Sequence, residues 1–255
     1  MQRRTELVKD SGAAGVILTA DHAGSPPHLL SGLTPAQVER VTSAGRRLVV
    51  HKGERLFSQG QLHDGIHLIE SGRIRVFYVA PTGREITLAY WHPGNFVGGP
   101  EIYRRGRHTW SGVAMTSSRV LHLPGDALRE MVAEIPVLAS GLLEALIFKA
   151  KCYSALAQML GTRSATERLA SLLLHLVDLY GETADDGAVH VAASLSHADL
   201  ASMTGVTRQS VTTTLKKLAE AGFVDTRGPR LIVRDMAGLR AIKRGRTESR
   251  VADGS

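Results

Sequence analysis

Residues 196–222 read SHADLASMTGVTRQSVTTTLKKLAEAG, and this stretch carries the signals of two short capped helices joined by a glycine turn. Ser196 stands three residues before Asp199, so its hydroxyl can accept from an early backbone N–H while a carboxylate sits near the positive end of the helix. Leu200 and Met203 supply apolar contacts at helical spacing, and Gly205 is free to take a positive φ. Thr207 caps a second helix whose apolar positions are Val211, Leu215 and Leu218. A turn this short crosses the helices steeply, as a helix-turn-helix requires. With the apolar positions turned inward, Arg208, Gln209, Ser210, Thr212, Thr213 and Lys216 fall on or beside the outward face, with Thr207 and His197 at the helix starts. Arginine reads guanine O6/N7 bidentately, glutamine can read adenine N6/N7, and hydroxyls and lysine bond phosphates. The plainer reading is a helical hairpin in an ordinary core.

The residues that follow favour DNA. Phe223–Thr226 and Leu231–Arg234 are β-rich runs around Arg227-Gly228-Pro229-Arg230, a turn signal between strands. A ribbon tipped with Arg227 and Arg230 beside a recognition helix is a wing whose cations would displace counterions along the phosphate backbone; two ordinary surface arginines are the alternative. Residues 190–255 hold eleven Lys or Arg against six Asp or Glu, so +5 of the chain's +7 lies in its last quarter.

At 255 residues, 43% hydrophobic and 22% charged, the chain suffices for two modest domains. A lone cysteine, Cys152, excludes an intramolecular disulfide, a Cys₄ zinc site and a cysteine-ligated cluster within one chain, and points to the cytoplasm. No apolar run approaches the roughly 20 residues that span a bilayer, so no membrane partner is expected. No metal site and no resident cofactor are expected either. An enzyme finds little support: the sequence contains no GxSxG, Walker loop, HExxH or Rossmann fingerprint.

Upstream, residues 1–32 read as a loose extension, and Thr34-Pro35 opens a short helix running to about Ala44. From Arg47 to Pro124 short alternating runs punctuated by glycine, such as Ile74-Arg75-Val76-Phe77-Tyr78-Val79, predict a β-roll or barrel. A short helix follows from Asp126 to Ile135, then an apolar-rich one from about Val137 to Gly161. Leu142, Ala145, Ile147, Leu156 and Met159 on that helix offer more apolar surface than one β-roll covers, so a second copy of it is the simplest partner. A long core helix in a monomer is the other possibility.

This order of parts, with Gly53-Glu54, Gln59-Gly60, Glu70-Ser71-Gly72-Arg73-Ile74, Gly94-Asn95-Phe96-Val97-Gly98 and Val206-Thr207-Arg208-Gln209-Ser210-Val211, resembles the catabolite-activator and fumarate-nitrate-regulator (CRP/FNR) family of bacterial transcription factors over residues 33–245. The resemblance implies an α+β chain. A cyclic-nucleotide-binding-like β-roll (33–135) precedes a long dimerisation helix (136–162), a winged helix-turn-helix (163–245) and a disordered tail (246–255). It also implies a homodimer on near-palindromic operators, an effector pocket between roll and long helix, and contact with RNA polymerase.

The match breaks where the effector would sit. Cyclic-AMP-binding members hold the ribose with a glutamate after a glycine and pair the phosphate with an arginine followed by serine or threonine. Here Gly98 is kept, the glutamate position is Gly99, and the arginine-serine pair is Thr109-Trp110. Tyr153 and Ser154 occupy the positions that contact the base. The expectation is a degenerate pocket that does not take cyclic AMP in the usual way. Arg104, Arg105, Arg107 and His108 could hold an anion or form a solvated loop. A redox role for Cys152 beside Lys149 or Lys151, a haem on one of the scattered histidines, a factor needing no ligand, and a sensing module without a DNA role all stay open. In the recognition helix Arg208 keeps the family's guanine reader, Gln209 replaces a frequent glutamate, and Thr213 stands where a later arginine is usual.

Overall fold

The structure, a computed structural model, describes residues 27–99, 101, 103, 105–192, 195–226 and 231–245. These fall into two compact units that meet in sequence at Ala155/Leu156, inside the long helix.

The first unit opens with α1 (Pro35–Ser43), where Thr34 and Gln37 exchange backbone-to-side-chain bonds and Pro35 takes the first turn. Ten strands follow: β1 (Arg46–Val50), β2 (Arg55–Phe57), β3 (Leu62–His63), β4 (Gly65–Ser71), β5 (Ile74–Val79), β6 (Glu85–Trp91), β7 (Phe96–Gly98), β8 (Gly106–Arg107), β9 (Ser111–Ala114) and β10 (Ser118–Pro124). They form antiparallel sheets in the orders β1-β10-β4-β7 and β2-β9-β5-β6, with β3-β8 as a separate ribbon. This is the predicted roll.

The period of two then sorts the core. Ile66 and Leu68 of β4, Phe96 of β7, and Leu121 and Leu123 of β10 point to one face, where they meet Val41 of α1, Leu128 and Met131 of α2 (Gly125–Glu134), and Leu138, Leu142 and Ala145 of α3 (Pro136–Thr162). Their neighbours Ile69, Val97 and Val120 point to the other face, where they meet Phe57, Val76, Trp91, Phe148 and Cys152. Leu29 is fully buried in the first of these clusters, and its N–H donates to Gly94 O at 2.8 Å. The loose extension expected over residues 1–32 therefore stops short of Leu29, which packs as core; residues 1–26 lie outside the described residues.

The 27 residues of α3 correct a second expectation. Of the five apolar residues assigned to a partner helix, Leu142, Ala145, Leu156 and Met159 are buried within the chain and only Ile147, at 47% exposure, is open. The large apolar side chains exposed on the helix are Val137 (43%), Leu143 (60%), Leu146 (40%) and Ile147. Two stripes of 3.5-residue period run along this helix, and the chain's own core takes the first.

The second unit begins within α3 and continues into α4 (Ala165–Tyr180), capped by a reciprocal Ser164–Glu167 box. β11 (Gly181–Thr183) and β12 (Val189–Val191) follow, then α5 (His197–Thr204), α6 (Arg208–Glu220), β13 (Val224–Asp225), β14 (Ile232–Val233) and α7 (Met236–Lys243). The wing strands β13 and β14 are shorter than the runs suggest. They also belong to a four-stranded antiparallel sheet in the order β11-β12-β14-β13 rather than to an isolated ribbon. Among the described residues no single helix is long and apolar enough to cross a membrane.

Candidate nucleic-acid interface and effector cavity

Helices α5 and α6 are built by local bonds. Ser196 Oγ accepts from the Asp199 N–H at 3.2 Å while Asp199 Oδ2 accepts from the Ser196 N–H at 2.8 Å, closing a capping box. Gly205 ends α5 at φ 65°, in the left-handed region, and a Cβ there would approach Leu160 Cδ2 to 2.8 Å; glycine is needed for both reasons. Thr207 Oγ1 then accepts from the Ser210 N–H at 3.1 Å to start α6.

Val211, Leu215 and Leu218 are buried; Arg208, Gln209, Thr212, Thr213 and Lys216 are exposed and Ser210 half-buried. Gln209, Thr213, Lys216 and Glu220 run at helical spacing along the centre of the outward face, with Arg208 and Thr212 on its flank. Thr212 Oγ1 donates to Arg208 O at 3.0 Å and is 2.9 Å from His197 Nδ1. The pair thus ties α5 to α6 besides lying on the exposed side. Lys216 Nζ is 3.7 Å from Glu220 Oε1, an exposed pair that sequence reasoning did not include and that leaves most of the lysine's charge to a partner. Lys217, also exposed, was missed; its place beside Lys216 is the only signal for it. Arg227 and Arg230 lie outside the described residues.

A cavity of about 240 Å³ lies inside the first unit, between β5, β6, β7, Gly99 and Trp110 on one side and Leu146, Lys149, Ala150 and Tyr153 of α3 on the other. Four of the positions read as an effector pocket come together here: Gly98, Gly99, Trp110 and Tyr153. The other two do not, Thr109 being exposed on the loop and Ser154 exposed on the helix, and neither lines the cavity. Trp110 Nε1–H donates to Gly98 O at 2.9 Å, and its ring lies 6.2 Å from that of Tyr153. A Cβ on Gly99 would meet the His63 ring at 1.8 Å, so any side chain at this position requires the buried His63 ring to move. Arg107 is exposed and donates to Gly60 O at 2.8 Å, and His108 is buried; Arg104 lies outside the described residues.

Lys149 was noted in the sequence only as a neighbour of Cys152. The structure makes it the cation of the cavity: Nζ donates to Phe96 O at 2.8 Å, sits 3.4 Å from the centroid of the Trp91 ring, and has its pKa pulled down to about 7 by burial. Burial also pushes the Tyr153 phenol above its ordinary value, so it stays neutral. Cys152 is fully buried in the apolar core of the first unit.

The histidines that look scattered in sequence are partly gathered. His63 and His108 have ring centroids 4.8 Å apart, His108 stacks on Phe57 at 4.2 Å, Phe57 lies 6.0 Å from His67, and His67 is 4.9 Å from His122. His63 Nε2 reaches Glu101 Oε2 at 2.9 Å and His122 Nε2 reaches Asp64 Oδ1 at 3.2 Å. Among the described residues no three of His, Cys, Asp or Glu converge as a metal site.

A roll enclosing a cavity against a long helix, followed in the chain by a winged helix-turn-helix, defines the class of DNA-binding regulators with a sensory-type domain. Residues 47–134 match the cyclic nucleotide-binding domain and residues 167–242 the Crp-like helix-turn-helix domain. A CRP-like cAMP-activated global transcriptional regulator of Mycobacterium tuberculosis is 27% identical, covering 83% of this chain and 94% of that protein. The cyclic AMP receptor protein of Thermus thermophilus is 28% identical, covering 87% and 98%. In fold, the c-di-GMP responsive global regulator CLP of Xanthomonas campestris superposes with a TM-score of 0.68 at 18% identity, covering 79% and 100%. The chain belongs to the CRP/FNR family of transcription regulators.

Proposed function

We propose that the protein is a homodimeric regulator that binds near-palindromic operators in the cytoplasm, where RNA polymerase is its partner at promoters, and that its cavity does not take cyclic AMP in the usual way. The observation that carries this reading is the second stripe of α3. Leu143, Ile147, Ala150, Ser154, Ala157 and Gly161 recur at alternating steps of four and three residues and are all exposed. That is the seam of a two-stranded coiled coil, and its small C-terminal members let two backbones approach closely. Paired seams would relate two copies of α6 by a two-fold axis, the symmetry of a near-palindromic operator. The filled position above Gly99 and the lack of arginine or glutamate among the cavity-lining residues support the second part.

Sedimentation and selection of bound fragments from genomic DNA test this together. A dimer that enriches a palindrome is the expected result; a monomer with no preference among duplexes overturns it. On such a site Arg208→Ala should cost about 1–3 kcal/mol and relax choice at one base pair per half-site, and an equal loss on every sequence would remove base reading from that residue. Lys216→Ala should weaken binding evenly on all sequences and lower the slope of affinity against salt by about one ion per half-site. An unchanged slope would move Lys216 off the phosphates.

A further inference from the structure

The cavity beside α3 has a composition that points away from nucleotides. Its volume of about 240 Å³ is below the roughly 300–1,000 Å³ usual for drug-sized ligands, so its occupant is small. Both tryptophans of the chain line it, together with Phe96 and Tyr153, in a protein with only 5% aromatic residues. Trp110 and Tyr153 form one wall, their rings 6.2 Å apart, and Trp91 and Phe96 flank the lysine nitrogen, at 3.4 and 4.8 Å from their ring centroids. Such surfaces favour a flat π-face. Lys149 is the cation among the described lining residues, and no carboxylate lines the cavity with it. One of its three donor hydrogens goes to Phe96 O, the Trp91 face takes part of the charge and Cys152 favours the charged form electrostatically, but among the described lining residues no carboxylate pairs with the desolvated ammonium.

We propose that this cavity takes a small aromatic acid, its ring held among Trp91, Phe96, Trp110 and Tyr153 and its anionic group paired with the Lys149 ammonium. The inference deepens the regulator reading, on which it rests, by giving the sensory domain a ligand class. Leu146 and Ala150 line the cavity and also belong to the exposed side of α3, Ala150 within the proposed seam. An occupant therefore presses on the residues through which two copies would meet.

The groups that could titrate around the ligand are Lys149 itself, Tyr153, held neutral by burial, and Cys152 within the same turn of α3. Free Lys149 titrates near pH 7, and an anion beside it raises that value, so binding takes up a proton. Affinity for an acid should be steady below pH 7 and fall by up to about tenfold per unit above it.

Because both tryptophans sit in the cavity, their emission reports binding directly. Titration of the full chain with benzoate, phenylacetate and indole-3-acetate should give saturable changes for at least one of them. Its neutral amide, benzamide, phenylacetamide or indole-3-acetamide, should bind at least tenfold more weakly, as should hexanoate and cyclic AMP. Lys149→Gln should abolish the preference for acid over amide, and the acid–amide comparison on the unaltered chain stands even if that variant folds poorly. Equal binding of acid and amide, tighter binding of cyclic AMP, or no saturation by any of the acids up to about 1 mM overturns the proposal. A protein that selects a palindrome yet ignores the acids sinks this inference and leaves the regulator standing. One that binds the acids but stays monomeric without DNA preference does the reverse.

Discussion

Leu143→Asp combined with Ile147→Asp is expected to leave the protein monomeric at micromolar concentration and to weaken its hold on a palindromic operator by at least a hundredfold. Both side chains are open on the described chain, at 60% and 47% exposure, so the change adds charge at a surface and disturbs no internal packing. In the paired helices it would bury up to four carboxylates in an apolar seam, a cost of several kcal/mol for each ion that finds no partner. Operator affinity falls further because two recognition helices on one body raise avidity by about 10²–10⁴ over one, and a monomer loses that factor. Sedimentation velocity and a band shift on whole and half operators read the two effects separately. The stripe is not the dimer seam if the double variant sediments as a dimer and binds the whole operator normally. Leu142→Asp is the contrasting change: that side chain is 2% exposed in the core beside Leu138 and Ala145, so it should unfold the roll rather than separate subunits.

The second large effect is acid lability of the roll. His67, between Phe57 and His122, has its pKa lowered to about 3, first by burial and then by the charges of His122, His108 and His63; that of His108 is lowered to about 4, mainly by burial. An unfolded chain protonates these rings near pH 6.5 while the folded one keeps them neutral. The unfolded state therefore binds more protons throughout the window between 6.5 and the folded values. Stability is complete above pH 6.5 and drains away as the pH falls toward 3. At 1.36 kcal/mol per unit, His67 alone removes about 2–3 kcal/mol between pH 7 and pH 4.5. In His67→Phe, which retains a ring against Phe57, the loss of unfolding free energy between those two pH values, measured by urea titration, should shrink by that amount. An unchanged loss would place the acid sensitivity elsewhere in the roll.

How far each part of this molecule could be read from the chain follows the reach of the interactions that build it. The caps at Thr34, Ser196 and Thr207 were legible because each bond closes within three residues, whereas the Ser164–Glu167 box of the same reach went unread. Strands β11 and β12, three residues each, were not legible: Gly181–Thr183 and Val189–Val191 carry too few residues for a period, and they are strands because they pair with each other and β12 pairs with the more distant β14. The histidine stack was likewise invisible, since His63, His67, His108 and His122 are brought together by pairings between distant strands, such as His67 opposite His122.

From the order of its residues alone, this chain declares a glycine-punctuated roll, a long helix and a DNA-reading hairpin, because capping, turn formation and hydrophobic period are decided among near neighbours. Tertiary packing chose between the two heptad-spaced stripes of α3, burying Leu142 and Ala145 and leaving Leu143 and Ile147 open. It also drew Lys149 and both tryptophans around one cavity. Neither outcome is written in a period, since an apolar stripe is satisfied by whatever apolar surface arrives, and which surface arrives depends on strands that lie far away along the chain.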